Sequence, residues 1–152
     1  MADQDGRMSD PERAEQDSLY RDVPYEYGAI APPGAILFTA GACPLDPDGN
    51  VVGPGDHEEQ AGAALNNLID ALARFGARPD DLVKTTIYVV GDQSDLVAVW
   101  NVVAAGLAPI RPPSTLLGVS VLGYRGQLVE IEGIAAVSGT QPSVGLKSLQ
   151  DL

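Results

Sequence analysis

Two acids one residue apart, Glu130 and Glu132 in the run Leu128-Val-Glu-Ile-Glu132, are the groups of this chain best placed to do chemistry. On an extended strand, residues i and i+2 share a face. Both carboxylates therefore project to one side with Leu128 and Ile134, while Val129 and Ile131 project to the other. Carboxylates serve as general acids and bases, but the strand pattern alone favours a solvated or interface group here. The remaining candidates are few. The chain has one Cys, Cys43, and one His, His57. A closed zinc site takes about four N or S ligands, so no His/Cys zinc site can form within one chain. A single Cys also excludes an intrachain disulfide, in keeping with a reducing compartment. Cys43 stands beside Pro44 with no base evident near it and reads as packing rather than as a thiolate nucleophile. His57 lies at a helix start next to Glu58 and Glu59 and reads as exposed.

The elements around these groups must position them. Ala35-Ile-Leu-Phe-Thr-Ala40 is a short apolar strand after the turn Pro32-Pro33-Gly34. Asp46-Pro-Asp-Gly49 is a turn, with Asn50 to Val52 returning from it. Asp56 followed by Glu59 is a capping-box start. Ala61, Ala64, Leu65, Leu68, Leu72 and Phe75 then recur at three and four residues on one stripe. Gly76 ends this helix, with Pro79 just beyond. Leu82 to Val90 is a strand ending at Gly91. A second helix runs from about Gln93 to Gly106, its buried side carrying Leu96, Val99, Trp100, Val103 and Leu107. Thr115 to Leu122 and Gln127 to Val137 read as two strands joined in a hairpin by Gly123-Tyr-Arg-Gly126. The order β-β-α-β-α-β-β predicts an α+β domain, a mixed sheet with both helices packed on one face. The other face mixes carboxylates with apolar groups, and no element of this chain remains to cover it. A second copy of the chain is expected there, with Glu130 or Glu132 partly buried at the contact.

Composition limits the partners. Residues 1–22 hold seven acids and three Arg with almost no large apolar group, and 138–152 is rich in Gly, Ser, Pro and Gln. The first is expected to be a disordered extension and the second a flexible tail, leaving 23–137 as the folded domain. The formal net charge is −12, from 21 acids against nine Lys and Arg. The positive residues of the domain stand singly, at Arg74, Arg78, Lys84, Arg111 and Arg125. A polyanion without a basic cluster repels nucleic-acid backbones and acidic headgroups. No apolar run approaches the ~20 residues of a membrane helix, and the first 30 residues lack the features of a signal peptide. The expectation is a cytoplasmic protein that acts on a small molecule, with no nucleic-acid and no membrane partner.

Several segments, in this order and spacing, resemble the Rid proteins (the YjgF/YER057c/UK114 family). They are Phe38-Thr-Ala-Gly41 followed by Pro44-Leu-Asp-Pro47, Glu59-Gln60 with Leu65-Asn-Asn-Leu68, Asp81-Leu-Val-Lys-Thr-Thr86, and Leu128-Val-Glu-Ile-Glu132 with Ile134-Ala135. The resemblance runs over about 27–137. It implies a chorismate-mutase-like α+β fold and a homotrimer with clefts between neighbouring subunits. It also implies hydrolysis of enamines and imines to ammonia and a 2-keto acid, with no metal and no organic cofactor. The family's cleft-lining Tyr falls on Tyr27, its backbone-donating Gly on Gly41, and its water-positioning Glu on Glu130.

One residue departs from the pattern. The family's Pro-x-Arg-Ser/Thr segment reads Pro112-Pro113-Ser114-Thr115 here, which puts Ser114 where an Arg grips the substrate carboxylate. Arg holds a carboxylate by a bidentate, charge-assisted pair, and its loss is expected to weaken a 2-imino acid by roughly tenfold or more. Arg111 starts about 9 Å away across an extended Pro-Pro segment. Ser114 and Thr115 are then expected to bond a neutral polar group. A hairpin loop one residue longer than usual brings Tyr124 and Arg125 near the site. Three functions follow: a Rid-type enzyme of altered specificity, a non-catalytic ligand-binding trimer, or a tailoring enzyme for dehydration, isomerisation or cyclisation. The family's association with RNA cleavage runs against the charge.

Overall fold

The first long helix, α1, spans His57–Arg74 because its ends are capped and one face is apolar. The Asp56 carboxylate accepts a hydrogen bond from Glu59 N at 2.9 Å, which satisfies one of the unpaired N–H groups of the first turn. Glu58 and Glu59 also sit where the helix dipole favours negative charge. Ala61, Ala64, Leu65, Leu68 and Leu72 are buried, as the spacing predicts. Gly76 closes the helix at φ 73°, a left-handed conformation that glycine adopts without strain. Phe75 departs from the predicted stripe. It is the C-cap, already outside helical geometry at φ −105° and ψ 13°, and its ring is largely exposed.

The second helix, α2, is Gln93–Leu107 and begins with a reciprocal capping box between Asp92 and Asp95. Val99, Val103 and Leu107 are buried, and Leu96 and Trp100 pack partly buried against the same core. His57, expected to be exposed, is instead half-buried where these elements meet. Its Nε2 lies 2.8 Å from the Val90 carbonyl, which can only accept, and its Nδ1 is 3.5 Å from Asp95.

Four strands form one sheet: β1 (Ala35–Phe38), β2 (Leu82–Val89), β3 (Ser114–Gly118) and β4 (Val129–Val137), in the order β1-β4-β2-β3. A 3₁₀ turn, Pro79–Asp81, leads into β2. β2 and β3 are parallel, and β4 is antiparallel to both β1 and β2. The structure is a computed structural model that describes residues 24–31 and 33–137. The expected disordered extension at 1–22 and flexible tail at 138–152 lie outside the described residues.

Two expectations about strands are corrected. The hairpin between 115–122 and 127–137 does not form, because β2 lies between β3 and β4. Helix α2 carries the chain from β2 across to a parallel β3, a crossover that parallel strands require. The other edge of β2 is then the one left for β4. β3 ends at Gly118, opposite the last residue of β2, and the chain to Leu128 is loop. The return from 50 to 52 is also no strand. It is reduced to a single bridge between Leu45 and Val51.

Both helices cover the sheet face that carries Ile87, Val89, Val129 and Ile131, all fully buried. Among the described residues nothing covers the opposite face, where Phe38 is 69% exposed and Ile36 and Leu117 are more than 40% exposed. On β4 the alternation is as read from sequence: Val129 and Ile131 face the helices, and Glu130 and Glu132 lie half-buried on the open side.

Two amides on α1 tie down the irregular segments. Gln60 and Asn67 are seven residues apart, two turns on one face. Gln60, fully buried, donates to Gly126 O (3.0 Å) and Gly53 O (3.2 Å) and accepts from Leu128 N at 2.7 Å. Asn67 donates to Cys43 O at 2.8 Å and Leu45 O at 3.0 Å. Replacing Gln60 by Leu leaves a buried N–H and two carbonyls without these partners. Gln60→Leu should lower the unfolding free energy by about 2–4 kcal/mol, read from urea denaturation against the unaltered chain.

Candidate active site

Glu130 owes its setting to an irregular pairing on each side of it. After β1 the chain continues beside β4. Thr39 N bonds Gly133 O at 3.0 Å, and Ala42 and Ile131 then exchange N–H···O bonds of 2.7 and 3.1 Å. From 39 to 42 there is one residue more than from 133 to 131, so the segment bulges at 40–41. The bulge presses Gly41 against the Glu130 side chain. A Cβ built on Gly41 would stand 2.6 Å from the Glu130 carboxyl carbon, an overlap that only glycine avoids. The Ala42–Ile131 bridge then sets Cys43 opposite Glu130 on the same face, and Cys43 Sγ lies 3.5 Å from Glu130 Oε2.

On the other side, Gln127 Nε2 donates to the same Oε2 at 3.0 Å. Glu130 is thus held by a thiol and an amide. Burial pushes the Cys43 thiol pKa up, and the Glu130 carboxylate raises it further, against an opposing hydrogen bond from Gln127. Cys43 therefore stays a protonated donor to Glu130 rather than a nucleophile. Its partner was invisible in the sequence because 39–43 has no strand pattern. Gln127 could have been noticed as an amide three residues ahead of the acid.

Glu132 is held differently. It accepts from Tyr88 Oη at 2.8 Å, which raises the tyrosine's pKa. With Lys84, Thr86, Phe38 and Ile134 it lines a shallow pocket of about 120 Å³ on the open face. Lys84 Nζ donates to Thr115 Oγ1 at 2.8 Å. Burial lowers the Lys84 pKa, opposed by Glu132.

The predicted site residues fall into two groups. Glu130 and Gly41 are in contact, and Tyr124 joins them through its backbone N–H, which donates to Gln127 Oε1 at 3.0 Å. Ser114 and Thr115 lie two strands away. Ser114 pairs with Thr85 and Glu130 with Tyr88, a separation of about 10 Å across the sheet and about 10 Å along it. The Ser114 hydroxyl also faces the helix side: it donates to Pro112 O at 2.9 Å and lies 2.6 Å from Thr85 Oγ1. Its one hydrogen goes to Pro112, so Thr85 is the donor in the second pair. Thr115, one residue on, is the hydroxyl that faces the open side. Tyr27 belongs with this second group. Its ring meets Tyr25 edge-on at 5.7 Å, Tyr25 meets Trp100 at 6.0 Å, and Glu26 N bonds Arg111 O. Among the described residues no cluster of three His, Cys, Asp or Glu could hold a metal, and no helix is long and apolar enough to cross a membrane.

Comparison with known proteins identifies the fold. Residues 16–137 match the family model described as Endoribonuclease L-PSP. A RutC family protein from Pyrococcus abyssi is 31% identical over 102 residues, 67% of this chain and 79% of that protein. YyfB from Yersinia pestis, of the conserved Rid protein family, aligns with TM-score 0.72 and 28% identity over 80% of this chain and 94% of its own. The chain belongs to the Rid family. This Rid protein is also 32% identical over 99 residues to mouse 2-iminobutanoate/2-iminopropanoate deaminase, 65% of this chain and 72% of that protein. TdcF from E. coli, solved with bound serine, aligns at TM-score 0.61 and 26% identity over 76% of this chain and 90% of its own.

The thiol offers a direct probe of this geometry. A cysteine ordinarily ionises near pH about 8.5, and only the thiolate is alkylated. At pH 8, Cys43 should react with iodoacetamide more slowly than a cysteine in an unfolded peptide. Glu130→Gln should speed that reaction by removing the neighbouring negative charge. An alkylation rate unchanged by the substitution would place the carboxylate away from the sulfur.

Proposed function

We propose that this Rid protein hydrolyses a small enamine, imine or related unsaturated metabolite in a cleft between subunits of a homotrimer, with Glu130 orienting or deprotonating the attacking water. The observation that carries this reading is the half-buried Glu130 carboxylate, held at Oε2 by Gln127 and Cys43 and seated over Gly41. Water adds to the C=N carbon, and the tetrahedral carbinolamine collapses as nitrogen takes a proton and leaves as ammonia, giving the carbonyl product. A carboxylate that removes a proton from water and returns it to the leaving nitrogen serves both halves of that reaction. The deaminase activity in the name of the mouse relative and the serine held by TdcF support a ligand of amino-acid size.

The division of the candidate residues supports an intersubunit site. Within one chain Thr115 lies two strands from Glu130, whereas a neighbour docked on the open face of the sheet can bring such a hydroxyl to it. With Ser114 turned toward the helices, Thr115 is the hydroxyl available to the ligand, and the Lys84 ammonium bonded to it offers positive charge where the family's guanidinium is missing. That substitution favours a second reading, a trimer that binds its ligand without chemistry.

Ammonia release from freshly generated 2-imino acids separates the two. The chain should exceed the uncatalysed rate, and Glu130→Gln should lower kcat by about 10²-fold or more. Gly41→Ala should fold normally, since the atoms it displaces are the end of a flexible side chain, yet lose about as much by moving the carboxylate. If all three proteins match background while a small ligand still raises the melting temperature, the binding reading holds. Sedimentation of the chain at three times its monomer mass is expected; a monomer would remove the cleft.

A further inference from the structure

Gln127 is 3% exposed, and every polar atom of its side-chain amide is engaged. Its orientation follows from its partners. Tyr124 N–H can only donate and lies 3.0 Å from Oε1. The Val129 carbonyl can only accept and lies 3.2 Å from Nε2. The oxygen must therefore face the loop and the nitrogen the strand, which aims the second N–H at Glu130 Oε2, 3.0 Å away. Cys43 Sγ approaches that same oxygen. Both donors take Oε2, and the other oxygen, Oε1, lies over the Gly41 Cα. The two oxygens of one carboxylate are thus in different states, Oε2 tethered by two side-chain donors and Oε1 seated where a side chain on Gly41 would stand.

We infer that Gln127 is the positioning residue of the site: it anchors Glu130 through Oε2, with the Cys43 thiol as second donor, so that Oε1 alone meets the water or substrate proton. This rests on the reading of Glu130 as the working carboxylate. It extends that reading, because Gln127 acts on the ligand only through Glu130. A carboxylate free to rotate would exchange its oxygens and wander from the line of attack. Misplacement by about 1 Å can cost on the order of 10²-fold in rate.

Two near-isosteric variants separate this role from the tether to Tyr124. Gln127→Glu keeps an acceptor for Tyr124 N–H but turns an acceptor, not a donor, toward Glu130. Gln127→Met removes both. Both should lower kcat for imine hydrolysis by about tenfold or more, with KM within about twofold. A wild-type kcat in Gln127→Glu beside a low one in Gln127→Met would show that the loop tether is what matters, and would overturn the inference. So would a raised KM at unchanged kcat. If the unaltered protein releases no ammonia above background, hydrolysis fails as the function and the crystal structure of Gln127→Glu decides the inference alone. A carboxylate displaced from Gly41 upholds it, and one that stays overturns it. Should neither variant fold, a wild-type crystal structure in which the Gln127 amide does not reach Glu130 overturns it without them.

Discussion

Two side-chain amides on one helix face carry the geometry on which the site depends. Glu130 sits between segments with little regular structure, the bulged run at 39–43 and the loop at 119–128. Neither has a full ladder of backbone bonds to hold its shape. Asn67 supplies donors to the first and Gln60 a donor and an acceptor to the second. Because the two stand two turns apart, a single rigid body sets the spacing of both segments and so the walls around the carboxylate. Gln60, fully buried with both its oxygen and its nitrogen engaged, is the costlier of the two to disturb, since each orphaned partner loses its hydrogen bond without regaining water.

The two acids of the last strand show how neighbours divide labour between identical side chains. Glu132 meets Tyr88 and faces Lys84 on the bare sheet. Glu130, two residues back on the same face, meets a thiol, an amide and a glycine. A tyrosine hydroxyl and an ammonium make Glu132 part of a polar patch on the surface. The glycine lets the Glu130 carboxylate occupy the space that any other side chain at 41 would fill. Strand alternation alone treats the two as equivalent; what differs is the chain laid alongside.

How much of this could be read from the sequence follows from which interactions are local. The α1 cap, the apolar stripes up to Leu72 and Leu107 and the alternation of Val129, Glu130 and Ile131 are set by neighbours within a few residues, and they appear as read. The α+β class and the placement of both helices on one face followed from element order. Strand partners did not. The glycines of 123–126 do make a local turn, with Gln127 N bonded to Tyr124 O, but a turn does not choose which strand lies beside which. The α2 crossover made that choice. Phe75 was misjudged because the helix unwinds one residue before it, and His57 because its partners lie on other elements. Ser114 was assigned by its place in a motif. Which way its hydroxyl faces depends on pairing with Thr85, twenty-nine residues earlier, which no motif spacing encodes.

The protonated state of Cys43 has a consequence for durability. Imines are electrophilic at carbon, and a thiolate beside them adds far more readily than a thiol to form a covalent adduct. The one thiol of this chain stands against the very carboxylate that would greet such molecules, yet burial and that neighbour's charge hold it in the sluggish, uncharged form. The acid that would carry out the chemistry thereby shields its own surroundings from becoming a casualty of it.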